Sequence, residues 1–230
     1  MTKQNDYDVP FDYRHFKKLA DKGISLSMKD TFTQIYEINI WKNPGSVSGN
    51  GSAPIQTAEI TKYLPEIIKK YNIKTILDLP CGDFNWMHSV DLNVDEYTGA
   101  DIVEEIIIKN QRTYGNGKYR FIVLDITRDD LPKTDLIFCR DCLVHLSYDD
   151  ISRAFRNIKR CGITYILTTT FIEFSMNHDI VSGDWRPLNL ELPPFDLPEP
   201  VETIDEKCTE GGGKFADKSL GLWHVKDLAD

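Results

Sequence analysis

An α/β sandwich built on parallel crossovers is the fold this chain predicts. Short apolar segments rich in β-branched residues recur from about residue 74 onward, and segments with helical spacing separate them. Three of the apolar segments run into an acidic residue: Asp78, Asp101 and Asp125. Strands alternating with helical patterns imply parallel connections. Carboxylates at successive strand ends place polar chemistry along one edge of such a sheet.

The elements follow in order. Residues 1–52 have mixed periodicity, a Ser/Gly-rich end and scattered aromatics (Phe11, Tyr13, Phe16, Phe32, Tyr36, Trp41), which reads as a helical lead-in, cover and lid. From Ala53 to Tyr71, Ile60, Leu64, Ile67 and Ile68 fall on one helical face, predicting a helix that feeds a first strand over 74–79. A second strand over 96–101 precedes a helix near 103–113, and a third strand over 119–125 precedes a turn at Asp129-Asp130-Leu131-Pro132. A fourth strand over 134–139 leads to a helix around 149–160 and a fifth strand over 163–170, with its run Ile-Thr-Tyr-Ile-Leu-Thr-Thr-Thr. Beyond Phe171 the pattern changes to Pro-rich loops, a turn at Glu210-Gly-Gly-Gly-Lys214 and a late strand over 219–225. Residues 53–230 therefore form the ligand-binding domain, with 171–215 as its substrate loops.

Composition sets bounds on function. At 230 residues and 26.4 kDa, with 41% hydrophobic residues, the chain buries one substantial core. Lys and Arg total 27 against 36 Asp and Glu, a net charge of −9, and no Lys/Arg tract stands out, so nucleic acid is a disfavoured partner. No uninterrupted apolar run approaches the roughly 18 residues of a spanning helix, and the start lacks an apolar leader, which predicts a cytoplasmic protein without membrane insertion. The five cysteines are an odd number and read as reduced thiols. Cys139-Arg-Asp-Cys142 has CxxC spacing, but no second Cys/His pair accompanies it, so the reading is structural and no metal site is expected. Oligomeric state is not encoded in any of these features.

The densest chemistry lies in Thr75-Ile-Leu-Asp-Leu-Pro-Cys-Gly-Asp-Phe84, where a strand ends on Asp78 and enters a tight turn containing Gly82. Tyr97-Thr-Gly-Ala-Asp101 repeats the acidic strand end 23 residues beyond Asp78. An open α/β sheet holds an adenosine in this way: the turn offers backbone N–H groups and the next carboxylate takes the ribose hydroxyls. A pyrophosphate needs a glycine-rich turn, whereas this one has a single glycine and an acidic Asp83, so NAD and FAD fit poorly. S-adenosylmethionine carries no phosphate and is cationic at sulfur and amine, which suits an acidic turn.

On these residues the chain resembles the class I S-adenosylmethionine-dependent methyltransferases. Leu77 to Phe84 is similar to their first motif, with Pro80 and Phe84 at positions that are usually glycine. The resemblance, over roughly residues 60–172, implies a Rossmann-like seven-stranded fold and S-adenosylmethionine as cofactor, leaving S-adenosylhomocysteine as product. It implies a cofactor site of Trp41, Ser48, Ser52, Asp78, Pro80, Gly82, Asp101, Ile102, Asp125, Ile126 and Arg140, with Asp101 on the ribose and Asp125-Ile126 on the adenine. Ser46-Val-Ser-Gly-Asn-Gly-Ser52 resembles the cover segment of such enzymes; it reads either as an anion-binding concavity for the methionine carboxylate or as a surface turn.

Cys139-Arg-Asp-Cys-Leu-Val-His-Leu146 resembles a segment of the phosphoethanolamine methyltransferases in which the histidine pairs with a catalytic tyrosine. That implies His145 as a proton relay near neutral pH, with Tyr36 as its partner; a histidine packed beneath the cofactor is the other reading. Pro80–Trp86, Arg140–Leu146, Gly183–Leu190 and Ser219–Trp223 together are similar to a less characterised bacterial methyltransferase-like family. Asn177, Asp179, Trp185 and Arg186 follow the fifth strand, where substrate loops lie, with Arg186 as an anion clamp. The sequence therefore predicts methyl transfer to oxygen or nitrogen of a small polar acceptor, with a phosphorylated metabolite or a surface-glycan sugar as candidates. A non-catalytic cofactor-binding module and a nicotinamide-dependent oxidoreductase are the alternatives.

Overall fold

In the computed structural model, which describes residue 7 and residues 9–41 and 45–229, seven strands form one sheet. They are β1 (Thr75–Asp78), β2 (Glu96–Asp101), β3 (Tyr119–Val123), β4 (Leu136–Cys139), β5 (Tyr165–Phe171), β6 (Glu202–Asp205) and β7 (Lys218–His224). The sheet order is β3-β2-β1-β4-β5-β7-β6, with β1 to β5 parallel and β7 antiparallel to both its neighbours. Chain order reverses direction between β1 and β4. Ligands of open α/β sheets bind outside the carboxyl ends of the strands at such a reversal.

Alternation along the strands divides the core into two layers, as the two-residue period of a strand requires. Leu77, Ile137 and Ile166 face one side with Ile151, Ala154, Phe155 and Ile158 of helix α5 (Tyr148–Arg160). Ile76, Leu136, Phe138 and Leu167 face the other, against Ile60, Leu64, Ile67 and Ile68 of α3 (Pro54–Lys70) and Ile107 of α4 (Glu104–Tyr114). Pro54 opens α3 at its first turn, where a missing N–H costs nothing, and Ser147 caps α5 by accepting from the Asp150 amide. Two short helices, α1 (His15–Ala20) and α2 (Met28–Glu37), precede this unit, and Met28 and Phe32 of α2 pack on its first layer.

The strands and helices lie within a few residues of their expected positions, and one edge strand is added to them. The β1–β2 connection contains no α-helix; residues 79–95 make turns and one 3₁₀ turn at Met87–Ser89. Phe84 and Asn93 both sit at positive φ there, which a helix does not accommodate. The edge strand β6 was not expected, because only Ile204 of its four residues is buried. The expected lead-in and lid extend onto residues 1–6, 8 and 42–44, which lie outside the described residues.

Candidate active site

A cavity of about 1090 Å³, part of it open to solvent, lies over the carboxyl ends of β1, β2 and β4. The sequence-predicted residues Trp41, Ser48, Ser52, Asp78, Pro80, Gly82, Asp101, Ile102, Asp125, Ile126, Arg140 and His145 all line it, together with Tyr36. Asp101 ends β2 with its carboxylate accepting from the Gly82 amide at 3.2 Å and the Val103 amide at 3.0 Å. Burial nevertheless pushes its pKa up to about 6, and that of Asp78, which accepts from the Tyr97 hydroxyl, to about 8. Asp125 accepts from the Thr127 amide and hydroxyl at 2.9 and 2.6 Å and meets Arg128 at 3.2 Å.

The Ser/Gly segment folds directly onto the turn after β1. Ser46 donates to one Asp83 oxygen at 2.7 Å, and the Ser48 hydroxyl accepts from the Asp83 amide at 3.0 Å. Ser52 donates to the Ser46 hydroxyl at 2.8 Å and to the Gly49 carbonyl at 2.6 Å. Gly82 must be glycine here, since its φ is +52° and a Cβ would stand 2.1 Å from Ser48 Oγ. Phe84 also adopts positive φ, at 57°, and its ring is enclosed by Tyr97, Tyr114, Tyr119 and Phe121.

His145 stands on a 3₁₀ turn, Leu143–His145, just past β4. Its Nδ1 lies 3.0 Å from the Asp184 carbonyl. A carbonyl only accepts, so Nδ1 carries the proton and Nε2 is left with a lone pair. Burial lowers the ring's pKa to about 4, which keeps it neutral. The Trp41 ring lies 5.2 Å from the imidazole. A second cavity of about 980 Å³ adjoins the first and shares Trp41, Ser48, Asp141 and His145 with it. Phe11, Phe171, Trp185 and Phe215 form its apolar wall, and Asp141, Glu210 and Lys218 its charged wall.

Residues 76–162 match a family described as a methyltransferase domain. The match runs from β1 to the end of α5 and so takes in the strand ends that line the first cavity. No curated protein sequence matches it. Among solved structures it is similar to the N-methyltransferase NodS from Bradyrhizobium japonicum WM9 in complex with S-adenosyl-L-homocysteine, at 12% identity and a TM-score of 0.60 over 86% of this chain and 98% of that one. The methyltransferase domain of bacterial CtHen1-C gives 11% identity and 0.53 over 74% and 98%. The [4+2]-cyclase SpnF gives 16% and 0.53 over 73% and 70%. These likenesses concern the fold, and one of them to a cyclase means that the site must supply the argument about chemistry.

Several expected residues stand elsewhere than the sequence implied. Tyr36 is not bonded to His145; its hydroxyl accepts from Lys109 Nζ at 2.6 Å, which ties α2 to α4. Arg186 is no anion clamp. It is fully buried and donates to the carbonyls of Leu143 at 2.9 Å, Leu146 at 2.8 Å and His178 at 3.3 Å, so it braces the turn that presents His145. Asn177 bonds the backbone of Asn189 and Pro193, and Asp179 accepts from the Tyr148 amide at the start of α5; neither lines the two cavities. Trp185 does line the second cavity, through ring contacts with Phe171 and Phe215. The sequence reading missed a buried charge cluster. Arg140 meets Glu206 at 2.7 Å and Asp141 at 3.4 Å, and Lys218 meets Asp141 at 2.7 Å and Glu206 at 3.4 Å. Its members come from strand ends far apart in the chain, and only burial marks them. Among the described residues no three His, Cys, Asp or Glu side chains group as a metal site, and no helix is long and apolar enough to cross a membrane.

Proposed function

We propose that this chain transfers a methyl group from S-adenosylmethionine to oxygen or nitrogen of a small polar acceptor, with residues 1–52 as its cover and 171–215 as its acceptor-side loops. The observation that carries the reading is the junction of two cavities at a neutral, braced His145.

The first cavity suits the cofactor on charge. Asp78, Asp101 and Asp125 line it, while its one buried cation, Arg140, is engaged by Glu206 and Asp141. A pyrophosphate would meet these carboxylates unfavourably; ribose hydroxyls and an adenine amine donate to them. Asp101 spends two of its acceptor sites on amides and keeps others for a diol. Ile102 and Ile126 supply apolar surface on which a base can lie. When bound, the cofactor supplies a methyl group already activated by cationic sulfur.

The chain then has to orient the acceptor, exclude water and receive a proton. Trp41 and His145 form the partition between the cavities, so an acceptor in the second one presents its nucleophile beside them. His145 Nε2 accepts the hydrogen bond, and the proton where one must leave. Ser46 and Ser48 hold the cover against Asp83, Ser52 ties it internally to Ser46 and Gly49, and the segment so shields the methionine end. With Arg186 spent on carbonyls, the phosphorylated-acceptor candidate loses its clamp.

The test is a calorimetric titration of S-adenosylhomocysteine against the wild type and Asp101→Ala, followed by methyl transfer over an acceptor panel. The variant is expected to lose about 1–3 kcal/mol of binding, the scale for removing a partner from a buried polar contact. Unchanged affinity in a folded variant would remove Asp101 from the site.

A further inference from the structure

The second cavity has a charge imbalance that bears on what enters it. Arg140 pairs with Glu206 at 2.7 Å and Lys218 with Asp141 at 2.7 Å. Those two cations answer two carboxylates. A third carboxylate, Glu210, remains on the cavity wall, with the Cys208 thiol at 3.9 Å as a weak donor. The charged ends converge with one negative charge in excess: the point where a Gly51 Cβ would stand lies 2.9 Å from Asp141 Oδ2, 3.5 Å from Lys218 Nζ and 3.6 Å from Glu210 Oε2. The same cavity is also lined by the aromatic rings of Phe11, Trp41, Trp185 and Phe215.

On the methyltransferase reading, we propose that the second cavity receives its acceptor as a cation, a protonated amine carried on an apolar, ring-sized body. An ammonium group is attracted both by a surplus carboxylate and by the negative faces of tryptophan and phenylalanine. The same wall repels a phosphate or carboxylate, and an alcohol of the same shape leaves Glu210 without a counter-charge. Lys218 does not reverse this preference, because its ammonium is buried against two carboxylates. Burial raises the Glu210 carboxyl above its ordinary range, and an incoming cation relieves that cost. The apolar wall sets the body: Phe171, Trp185 and Phe215 touch edge to face and offer flat surfaces on which a ring or a short alkyl chain can lie. Nitrogen, rather than oxygen, is then the atom presented at His145 and Trp41; the ammonium first releases a proton, by way of Glu210 to solvent, and the freed lone pair forms the N–CH3 bond as the C–S bond breaks and S-adenosylhomocysteine leaves.

The test uses 2-phenylethylamine, tryptamine and hexylamine as probes, each beside its alcohol and carboxylate isosteres. Binding is titrated to the full chain saturated with S-adenosylhomocysteine. At least one amine is expected to bind ten times tighter than both its isosteres, and in Glu210→Gln that preference should shrink to threefold or less while S-adenosylhomocysteine affinity is unchanged. An isostere that binds as tightly as its amine, a panel of which no member binds, or a preference that survives Glu210→Gln would each overturn the proposal. Should Glu210→Gln fail to fold, the wild-type ranking alone decides. Failure of the parent reading looks different: S-adenosylhomocysteine itself would then not bind, whatever the amines do.

Discussion

His145 is held neutral by burial, and that gives the reaction a distinctive pH dependence. Its folded pKa of about 4 lies below the ordinary 6.5, so between those values the unfolded chain binds more protons. Its contribution to stability is therefore full above pH 6.5 and is lost as the pH falls toward 4. Asp101 has the opposite sign: its folded value of about 6 exceeds 3.8, so its contribution falls as the pH rises through that window. The limb of turnover that belongs to His145 is expected near pH 4 at saturating cofactor, whereas cofactor affinity falls below about pH 6 as Asp101 protonates. Asp101→Asn should abolish the second limb and leave the first; a turnover limb at 6.5 instead would mean that His145 is not buried as described. His145→Ala should cut single-turnover transfer by roughly 10²–10⁴-fold with cofactor affinity nearly intact. Arg186 provides a contrast at the same scale. Arg186→Leu leaves the Leu146 and His178 carbonyls without a donor, while Leu143 keeps the Leu146 amide, and each orphaned group costs about 1–3 kcal/mol, so urea unfolding should show a clear loss. An anion clamp would have produced a weaker acceptor KM at unchanged stability.

Between the strands, the parts that face the cofactor differ in how visible they are from sequence. Asp78, Asp101 and Asp125 were legible because each closes an apolar run whose period already marks a strand. The turn after β1 was legible as a turn, but not its latch: Asp83 meets Ser46 and Ser48 from 37 and 35 residues away. No local pattern encodes that approach. Phe84 shows why a departure from a glycine motif is tolerated. Its positive φ costs about 1–2 kcal/mol, and a ring buried among four aromatics contributes more; Phe84→Ala should cost about 3–5 kcal/mol by denaturant unfolding. The latch gives its own expectation. Hydrogen exchange over residues 45–53 should slow when S-adenosylhomocysteine is added, and Asp83→Ala should raise exchange there in the free chain. Equal exchange in every case would reduce the segment to a surface turn. Arg186 and Asn177 were misread for one reason: a polar residue in a loop after a strand resembles a substrate contact until burial shows that it serves the backbone.

Across the whole molecule, the buried charge cluster joins the parallel half of the sheet to its antiparallel edge. Arg140 and Asp141 follow β4 at the centre, Lys218 opens β7, and Glu206 follows β6 at the rim. Arg140 also donates to the Gly51 carbonyl at 2.9 Å, so the cover segment is tied to the same point. Arg140, Lys218 and Glu206 are buried while Asp141 keeps some contact with solvent, and charges removed from water are costly unless answered; here the four answer chiefly one another. Glu206→Leu strands Arg140 and should destabilise the chain by about 3–5 kcal/mol. Arg140→Met should do the same by stranding Glu206. The double variant removes both members and leaves Lys218 facing Asp141, an intact pair, so its loss should be smaller than either single loss. The three variants and the wild type, unfolded in urea, close the cycle. A double variant that loses the sum of the two singles would mean that these charges act independently, and that packing of β7 on β5 alone holds the antiparallel edge in place.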